Sequence, residues 1–264
     1  MCSYPNEMTY NGNLLFHYTS LDNAIKIILT NSLRFGSFEN TNDITESRRS
    51  ILSNIPGKNK KKVEKEISKY HAICFTKDND APRGFAVDCM WGYYAEKGNG
   101  VCLVFEKDKL LAEYARITHL PKAIDNTQEY DVHYCDNSNL IHLDSHTVPG
   151  ARKELKENIR NIFFVKNNCW KHENEFRLLV KSEEPRFLPL SDSLMGAIIC
   201  APAKGNYKET LQYKLLSELE HLRTFNVYNY GYKLGNRELY LDDEPKCPIL
   251  GDEYQIDDSE SLLY

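Results

Sequence analysis

One stretch decides how the fold is interpreted: residues 170–180 read Trp-Lys-His-Glu-Asn-Glu-Phe-Arg-Leu-Leu-Val. Apolar residues alternate towards its end, which predicts a strand with one buried face. If the strand begins as early as Glu173, then Glu173, Glu175 and Arg177 project from one side, because residues i and i+2 of a strand share a face. We therefore expect either a solvated edge or the wall of a polar cleft.

Short apolar runs and amphipathic segments follow one another along the rest of the chain. Ser20 can cap the first helix, and Thr19 with Asp22 has capping-box spacing. Strands are predicted at 14–20, 33–35, 71–76, 101–105, 130–134, 197–201, 225–230 and 237–241, helices at 21–30, 58–69, 90–95, 108–117, 152–164 and 208–223, and irregular loops at 38–49 and 136–149. This order predicts an α+β protein, a single domain over residues 1–264 with a split mixed or antiparallel β-sheet and flanking helices.

Composition narrows the function classes. The 264 residues carry a formal net charge of -5, so no global positive field attracts nucleic acid. The basic run at Lys58 and 60–62 is either a solvated surface or a local phosphate contact. Eight cysteines are scattered without a Cys-x-x-Cys pair, which is typical of reduced thiols in a cytoplasmic protein. We expect no signal peptide and no membrane span, since no apolar run approaches about 18 residues.

The motifs give little support for a zinc site, a cysteine nucleophile or a glycine-rich phosphate loop. Cys169-x-x-His172 and His133-x-Cys135 are possible zinc half-sites, but neither has the spacing of a zinc module, so we expect no metal. The cysteines at 74, 102 and 200 lie in predicted buried strands, where thiols are inert. The glycines form neither a Gly-x-Gly-x-x-Gly motif nor a Walker loop.

A polar and aromatic set distributed over three strands remains. It comprises His17, Tyr18 and Thr19 near the end of the first strand, the aromatic block 91–94, and the charged residues of 173–177. Each part has a plain structural interpretation: a hydrogen-bonded histidine, core aromatics, or an acidic edge that discourages strand pairing.

Taken together, these blocks resemble a widespread prokaryotic family of unknown function. The resemblance extends over about 14–202, and residues 203–264 form a C-terminal extension that carries little of it. One departure is Ile44, which stands where family members usually have a proline. The matching blocks are His17-Tyr18-Thr19-Ser20, Ser32-Leu33-Arg34-Phe35, Asn42-Asp43 with Glu46, Cys74-Phe75-Thr76, Trp91-x-x-Tyr94-Ala95, Gly100-Val101-Cys102-Leu103, Lys166-x-x-x-Trp170 and Glu173-x-Glu175-Phe176-Arg177.

The order histidine, tyrosine, glutamate also resembles ADP-ribosyltransferase-fold toxins, which use NAD as co-substrate. The resemblance implies that Glu175 is catalytic and stabilises the developing charge on the ribose, while Glu173 orients or deprotonates the acceptor. Arg177 would bind the pyrophosphate, or alternatively would form an internal salt bridge with Glu173. The remaining residues implied in cofactor binding are His17, Tyr18, Thr19, Asn42, Asp43, Trp91 and Tyr94. The adjacent Tyr93 and Tyr94 depart from the wider spacing of the transferases, so the stacking residue stays open.

The prediction is therefore an NAD-dependent ADP-ribosyltransferase that modifies a macromolecule (protein, RNA or DNA) and serves as a toxin or antiphage effector, with an antitoxin protein as its expected partner. Two alternatives stay open. One is a non-catalytic sensing module that binds a nucleotide or a partner protein. The other is an NAD glycohydrolase, which would destroy NAD without modifying an acceptor.

Overall fold

A computed structural model describes residues 12–47, 50–53, 57–79, 82–118, 130–136, 140–200, 206–220, 222, 225–233 and 236–240. The chain divides into two compact units, each built from separate segments. Unit 1 comprises Met1–Leu29, Lys77–Lys107 and Asp192–Tyr264, and unit 2 comprises Thr30–Thr76 and Asp108–Ser191.

The described residues form short strands and helices in a mixed α/β arrangement. The strands are β1 (Leu14–Thr19), β2 (Ser32–Arg34), β3 (Gly36–Ser37), β4 (Ser50–Ser53), β5 (Tyr70–Lys77), β6 (Val101–Glu106), β7 (His133–Cys135), β8 (Leu140–Leu143), β9 (Val165–Asn167), β10 (Glu175–Lys181), β11 (Phe187–Pro189), β12 (Leu194–Ile199), β13 (Asn226–Lys233) and β14 (Asn236–Tyr240). The helices are α1 (Leu21–Thr30), α2 (Ile44–Ser47), α3 (Gly57–Ile67), α4 (Asp88–Tyr94), α5 (Lys107–Thr118), α6 (Val148–Glu157), α7 (Ile159–Phe163) and α8 (Leu211–Glu220).

Unit 1 contains a mixed sheet with β6 at its interior. The strand order is β1-β6-β12-β13-β14, in which only the β12–β13 pair is parallel. Because Val101–Phe105 is buried on both faces, β6 has no polar alternation, and the prediction of a central strand is confirmed. One side of this unit packs Phe16, Tyr18, Trp91 and Tyr230 in a hydrophobic cluster.

Unit 2 contains β10, the strand that the stretch 170–180 predicts. β10 pairs antiparallel with β5, and β5 pairs with β3. Three small two-stranded sheets accompany them: β11 with β2, β4 with β8, and β7 with β9. A second hydrophobic cluster includes Phe38, Tyr70 and Phe163, together with buried residues of α3 and α6.

The first helix begins as its capping residues predict. Ser20 Oγ accepts a hydrogen bond from the Asn23 backbone N–H at 3.2 Å, and the turn that follows buries Ala24 and Ile28. The helix ends before Asn31, whose φ of 51° places it in the left-handed region that helices use to stop.

Two predicted loops contain regular structure, so these predictions were wrong in part. Residues 38–49 include a 3-10 turn at Phe38–Asn40 and the four-residue helix α2. Residues 136–149 include β8, which pairs with β4. Elements of three or four residues are too short to show a hydrophobic period. In β8, pairing with β4 supplies the backbone hydrogen bonds.

Two further boundaries differ from the sequence prediction. The predicted helix over 152–164 is two helices, because Asn158 adopts φ −110° and ψ 22° between them. Within 130–134, the strand β7 begins only at His133, and Asp131 makes an isolated bridge to Phe176. The last dozen residues are acidic, and the sequence predicts that they fray. They lie outside the described residues, which stop at 240.

No described helix is long and apolar enough to cross a membrane. Six cysteines in the described part of the chain are free thiols: Cys74, Cys89, Cys102, Cys135, Cys169 and Cys200.

Candidate functional site

The strand β10 begins at Glu175, two residues later than its earliest predicted start. Asn174 adopts left-handed φ 44° and ψ 51° and ends a 3-10 helix at Asn168–Glu173. The prediction that Glu173 belongs to the same strand face is therefore wrong, because this turn separates it from the strand. Glu175 and Arg177 do share a face, and their antiparallel partners on β5 are Thr76 and Cys74.

Arg177 holds two carboxylates at the centre of unit 2. Its Nε lies 2.6 Å from Glu175 Oε1 and its Nη2 lies 2.9 Å from Glu175 Oε2, which is the paired geometry that a guanidinium makes with a carboxylate. Nη1 donates to Glu46 Oε1 at 2.7 Å and also to the carbonyl oxygen of Phe163. Four of the five N–H groups are thus engaged within the protein.

Lys166 joins the same carboxylates from the other side. Its Nζ lies 2.5 Å from Glu173 Oε2, 3.0 Å from Glu175 Oε2 and 3.8 Å from Glu46 Oε2. The indole ring of Trp170 lies over this ammonium group, with its centroid 5.5 Å from Nζ. Of the two roles left open for Arg177, an internal ion pair is therefore observed, but with Glu175 and Glu46, whereas Glu173 pairs with Lys166.

We call these five residues, Glu46, Lys166, Glu173, Glu175 and Arg177, the ionic cluster. Each is buried, with an exposed fraction of 5% or less. With every group ionised, three carboxylates face two cations, so the cluster carries a formal charge of -1. Among the described residues, no group of histidines, cysteines and carboxylates has the arrangement of a metal site.

The pKa values within the cluster follow from its opposite charges. Burial alone would raise the pKa of Glu175, but the charges of Arg177 and Lys166 outweigh burial and hold that pKa well below its usual range. Burial would likewise lower the pKa of Lys166, and the three carboxylates raise it instead, Glu175 most strongly. Glu175 is therefore ionised, and Lys166 is protonated, at neutral pH.

Two neighbouring groups support Glu175. The backbone N–H of Glu175 donates to the phenolic oxygen of Tyr134 at 2.8 Å. The Cys74 thiol forms a side-chain hydrogen bond with Glu175, and burial, followed by the charge of Glu175, raises the pKa of that thiol. Cys74 is thus a protonated donor, in agreement with the prediction that it is not a nucleophile.

Glu46 reaches the cluster because Asp43 starts a helix. Asp43 Oδ1 accepts hydrogen bonds from the Thr45 backbone N–H at 2.8 Å and from the Thr45 hydroxyl at 2.6 Å, as an N-cap does. The short helix α2 then buries Glu46. Asp43 was expected to bind the cofactor, and Glu46 was expected in a loop, as part of a block that matches the family. The spacing Asp43-x-x-Glu46 is that of a capping box and could have predicted this helix start. Asn42 lies in the bend before the cap.

The aromatic and histidine candidates belong to unit 1, whereas the ionic cluster belongs to unit 2. The structure brings Tyr18 and Trp91 together, with ring centroids 5.2 Å apart and the rings edge to face. Both polar groups are used internally: the Tyr18 hydroxyl donates to the Gly84 carbonyl at 2.7 Å, and the Trp91 indole N–H donates to the Phe85 carbonyl at 2.8 Å.

The other predicted residues of unit 1 differ in exposure. His17 is half-buried on β1, next to the buried Thr19 at the end of that strand. Tyr94 is half-buried, and its ring centroid lies 6.5 Å from that of Tyr93, which is 58% exposed. Tyr93 and Tyr94 are therefore the aromatic residues of this block that present surface to a ligand, while Trp91 is core.

A comparison with known families matches residues 90–178, about a third of the chain, to a model described as "Protein of unknown function (DUF2971)". The matched segment contains Lys166, Glu173, Glu175 and Arg177 and excludes Glu46. It supports the resemblance to a family of unknown function and supplies no activity. No curated protein and no solved structure matches the chain.

Proposed function

We propose that the protein is an NAD-dependent ADP-ribosyltransferase, with an ADP-ribosyltransferase-like fold, and that the ionic cluster is its reaction centre. The observation that carries the proposal is the excess of carboxylates over cations in a buried site. All three carboxylates are ion-paired with Lys166 or Arg177, and with every group ionised the cluster keeps a formal charge of -1. A fixed negative charge in a site of low dielectric is complementary to a reaction that develops positive charge.

Cleavage of NAD between ribose and nicotinamide is such a reaction. The bond from ribose C1′ to the nicotinamide nitrogen breaks, its electron pair leaves with neutral nicotinamide, and positive charge grows on the ribose as in glycoside cleavage. A nucleophilic O–H or N–H of the acceptor then forms the new bond to C1′, and its proton passes to a base. We assign charge stabilisation to Glu175 and proton acceptance to Glu173.

The cations of the cluster have positioning roles in this proposal. Arg177 fixes both oxygens of Glu175 and keeps the carboxylate ionised, so the pyrophosphate role expected from the resemblance is less favoured by its engaged N–H groups. Lys166 orients Glu173 against Glu175. The cofactor roles expected for Asn42 and Asp43 and, in unit 1, for His17, Tyr18, Thr19, Trp91 and Tyr94 stay predictions that this assignment does not use. A toxin or antiphage effector is the proposed biological setting.

Burial favours a second candidate function. Glu175 is 3% exposed, so a ribose could contact it only after the residues that cover it had moved. A non-catalytic module that binds a nucleotide or a partner protein would not require this movement. In that case the ionic cluster would only fix β10 against α2 and β9.

The test uses NAD labelled in its adenine half, incubated with the purified full chain and cell extract. Three variants are compared with the wild type: Glu175→Gln, Glu173→Gln, and Glu113→Gln as a matched control. Glu113 is also an ion-paired glutamate, held by Arg116 at 2.8 Å, but it lies outside the ionic cluster. Label on protein and on nucleic acid is measured separately, together with free nicotinamide and the urea midpoint of each variant.

The proposal expects label from the wild type and from Glu113→Gln, and a loss of at least about hundredfold in folded Glu175→Gln, the magnitude of a missing electrostatic contact in a transition state. Nicotinamide released without label on any macromolecule would identify an NAD glycohydrolase. Release of neither product by the wild type would refute the transferase and favour the binding module. Equal rates for the wild type and both cluster variants would move the reaction away from the ionic cluster.

A further inference from the structure

Two lysine-bearing helices of unit 2 pack side by side. Helix α3 and helix α6 contact each other, and their inner residues Val63, Ala151 and Leu155 share one hydrophobic cluster. Their outer surfaces are polar and basic. The exposed lysines are Lys60, Lys61, Lys62 and Lys65 on α3 and Lys153 and Lys156 on α6. We call five of them, Lys61, Lys62, Lys65, Lys153 and Lys156, the basic face.

The spacing of these lysines places them on the outer side of each helix. Residues three and four apart are neighbours on a helix surface, so Lys61 and Lys62 each adjoin Lys65. Lys153 and Lys156 have the same three-residue relation on α6. Both sets avoid the positions taken by the buried Val63 and Leu155.

Acidic residues beside the basic face neutralise it only in part. Lys153 has one acidic partner, since its Nζ lies 3.8 Å from Glu157 Oε1, but both of these side chains are exposed. Glu66 is surrounded by three cations, with Lys69 Nζ at 2.8 Å, Arg152 Nη2 at 3.0 Å and Lys181 Nζ at 3.2 Å from its carboxylate oxygens. The hydrogen bond from Lys69, followed by the contact with Lys181, lowers the pKa of Glu66 to about 2 although burial opposes this. Lys69 also pairs with Glu183 at 2.8 Å, so two carboxylates serve three cations and one positive charge remains in excess.

Charge is therefore segregated in this acidic protein. Residues 57–69 contain six lysines and two glutamates, and residues 148–160 contain four cationic residues and two glutamates. These two stretches carry a formal charge of +6, so the remaining chain carries -11 of the total of -5. A local positive surface attracts an extended anion even though the protein as a whole is negatively charged.

We propose that the basic face binds the phosphate backbone of a nucleic acid. Helix α3 has 11 residues and is about 16 Å long, over which duplex DNA presents roughly nine phosphates. The exposed large hydrophobic residues of the described chain lie on neither α3 nor α6, whereas a helix that binds a lipid surface inserts apolar side chains. This binding goes beyond the proposed transferase activity, since it requires no NAD.

The experiment measures binding of fluorescent single-stranded and duplex oligonucleotides to the full chain by anisotropy, without NAD, between 50 and 200 mM salt. The test variants are the triple Lys61→Gln, Lys62→Gln, Lys65→Gln and the double Lys153→Gln, Lys156→Gln. The matched control triple is Lys26→Gln, Lys109→Gln, Lys214→Gln, which changes one exposed lysine on each of α1, α5 and α8. Vesicles containing anionic lipid form a parallel arm.

We expect the test triple to raise Kd by at least about tenfold and to reduce the slope of log K against log salt by about two to three, roughly one for each lost phosphate contact. The test double should reduce this slope by one to two by the same count, and the control triple should leave Kd within about twofold. The proposal is overturned if the wild type binds no oligonucleotide, if both triples weaken binding equally, or if only vesicles bind. Because NAD is absent, failure of the transferase proposal does not affect any of these outcomes.

Discussion

Replacement of Arg177 tests whether the ionic cluster is as buried and as interdependent as its geometry indicates. Arg177 is 0% exposed, makes paired contacts with Glu175 and one contact with Glu46, and also holds the Phe163 carbonyl. Arg177→Met leaves three buried carboxylates facing Lys166 alone. Loss of one partner from a buried ion pair costs about 3–5 kcal/mol, a large part of the roughly 5–15 kcal/mol that stabilises a typical domain.

Arg177→Lys separates charge from geometry. Lysine keeps the positive charge, but a single ammonium group cannot reproduce the paired contacts of a guanidinium. We expect a loss of about 1.5–3 kcal/mol, the value of a charged hydrogen bond, so this variant should lie between wild type and methionine. Arg116→Met serves as the control, since Arg116 is 63% exposed in its pair with Glu113 and should cost less than about 1 kcal/mol.

The assay is urea unfolding at 25 °C in a Trp91→Phe background, so that Trp170 of unit 2 is the remaining tryptophan. Free energies of unfolding are compared only between proteins with the same slope of free energy against urea concentration. A changed slope would indicate a changed unfolded state or an intermediate. If Arg177→Met lowers the free energy of unfolding by less than about 1 kcal/mol, with an unchanged slope, the reasoning is refuted. Removal of one cation from a desolvated and interdependent cluster must cost more than that.

Two further predictions concern glycine and pH. In unit 1, a Cβ on Gly100 would lie 2.3 Å from the Thr19 carbonyl oxygen, whereas a Cβ on Gly92 would meet nothing within 4 Å. We therefore expect Gly100→Ala to lower the free energy of unfolding by about 1–3 kcal/mol and Gly92→Ala, inside helix α4, to raise it by up to about 1 kcal/mol. Urea unfolding measures both changes, and equal effects of the two substitutions would contradict the packing. In unit 2, the pKa of Glu66 is lowered from 4.5 to about 2 in the folded protein, so the stabilisation by its ion pairs is present above pH 4.5 and is lost as pH falls towards 2. Glu66→Gln should therefore lower the free energy of unfolding at pH 7 and have little effect near pH 2. A constant difference between wild type and variant across this range would exclude the ion pairs as the cause.

Much of the local structure follows from patterns within the sequence. The alternation in Phe176, Leu178 and Val180 predicted β10, and the apolar run at 101–105 predicted an interior strand. Both predictions depend on the local pattern of apolar residues, which alternates at 176–180 and is continuous at 101–105. The start of β10 did not follow, because it depends on a left-handed turn at Asn174 that asparagine tolerates but does not dictate.

The composition of the ionic cluster could be predicted only in part. Glu173, Glu175 and Arg177 are close in sequence, so a shared site was a reasonable expectation. The pairing of Arg177 with Glu46 joins residues 131 positions apart, and no spacing rule reaches that far. A guanidinium can pair with any nearby carboxylate, and the choice is made by the tertiary positions of α2 and β10. Sequence patterns therefore indicated the strand end but not the cations and carboxylates that meet there.

Stability alone does not account for the third carboxylate of the cluster. Removing charged groups from water costs several kcal/mol each, and apolar side chains of similar volume often replace a buried ion pair without loss of stability. A cluster selected for stability would therefore contain fewer charges, or at least equal numbers of each sign. The third carboxylate adds repulsion among the acidic groups, although each of the three is ion-paired with Lys166 or Arg177. Such an arrangement costs folding free energy and is complementary to a cationic transition state, which is why we propose chemistry at Glu175, and the Glu175→Gln comparison separates this proposal from purely structural support.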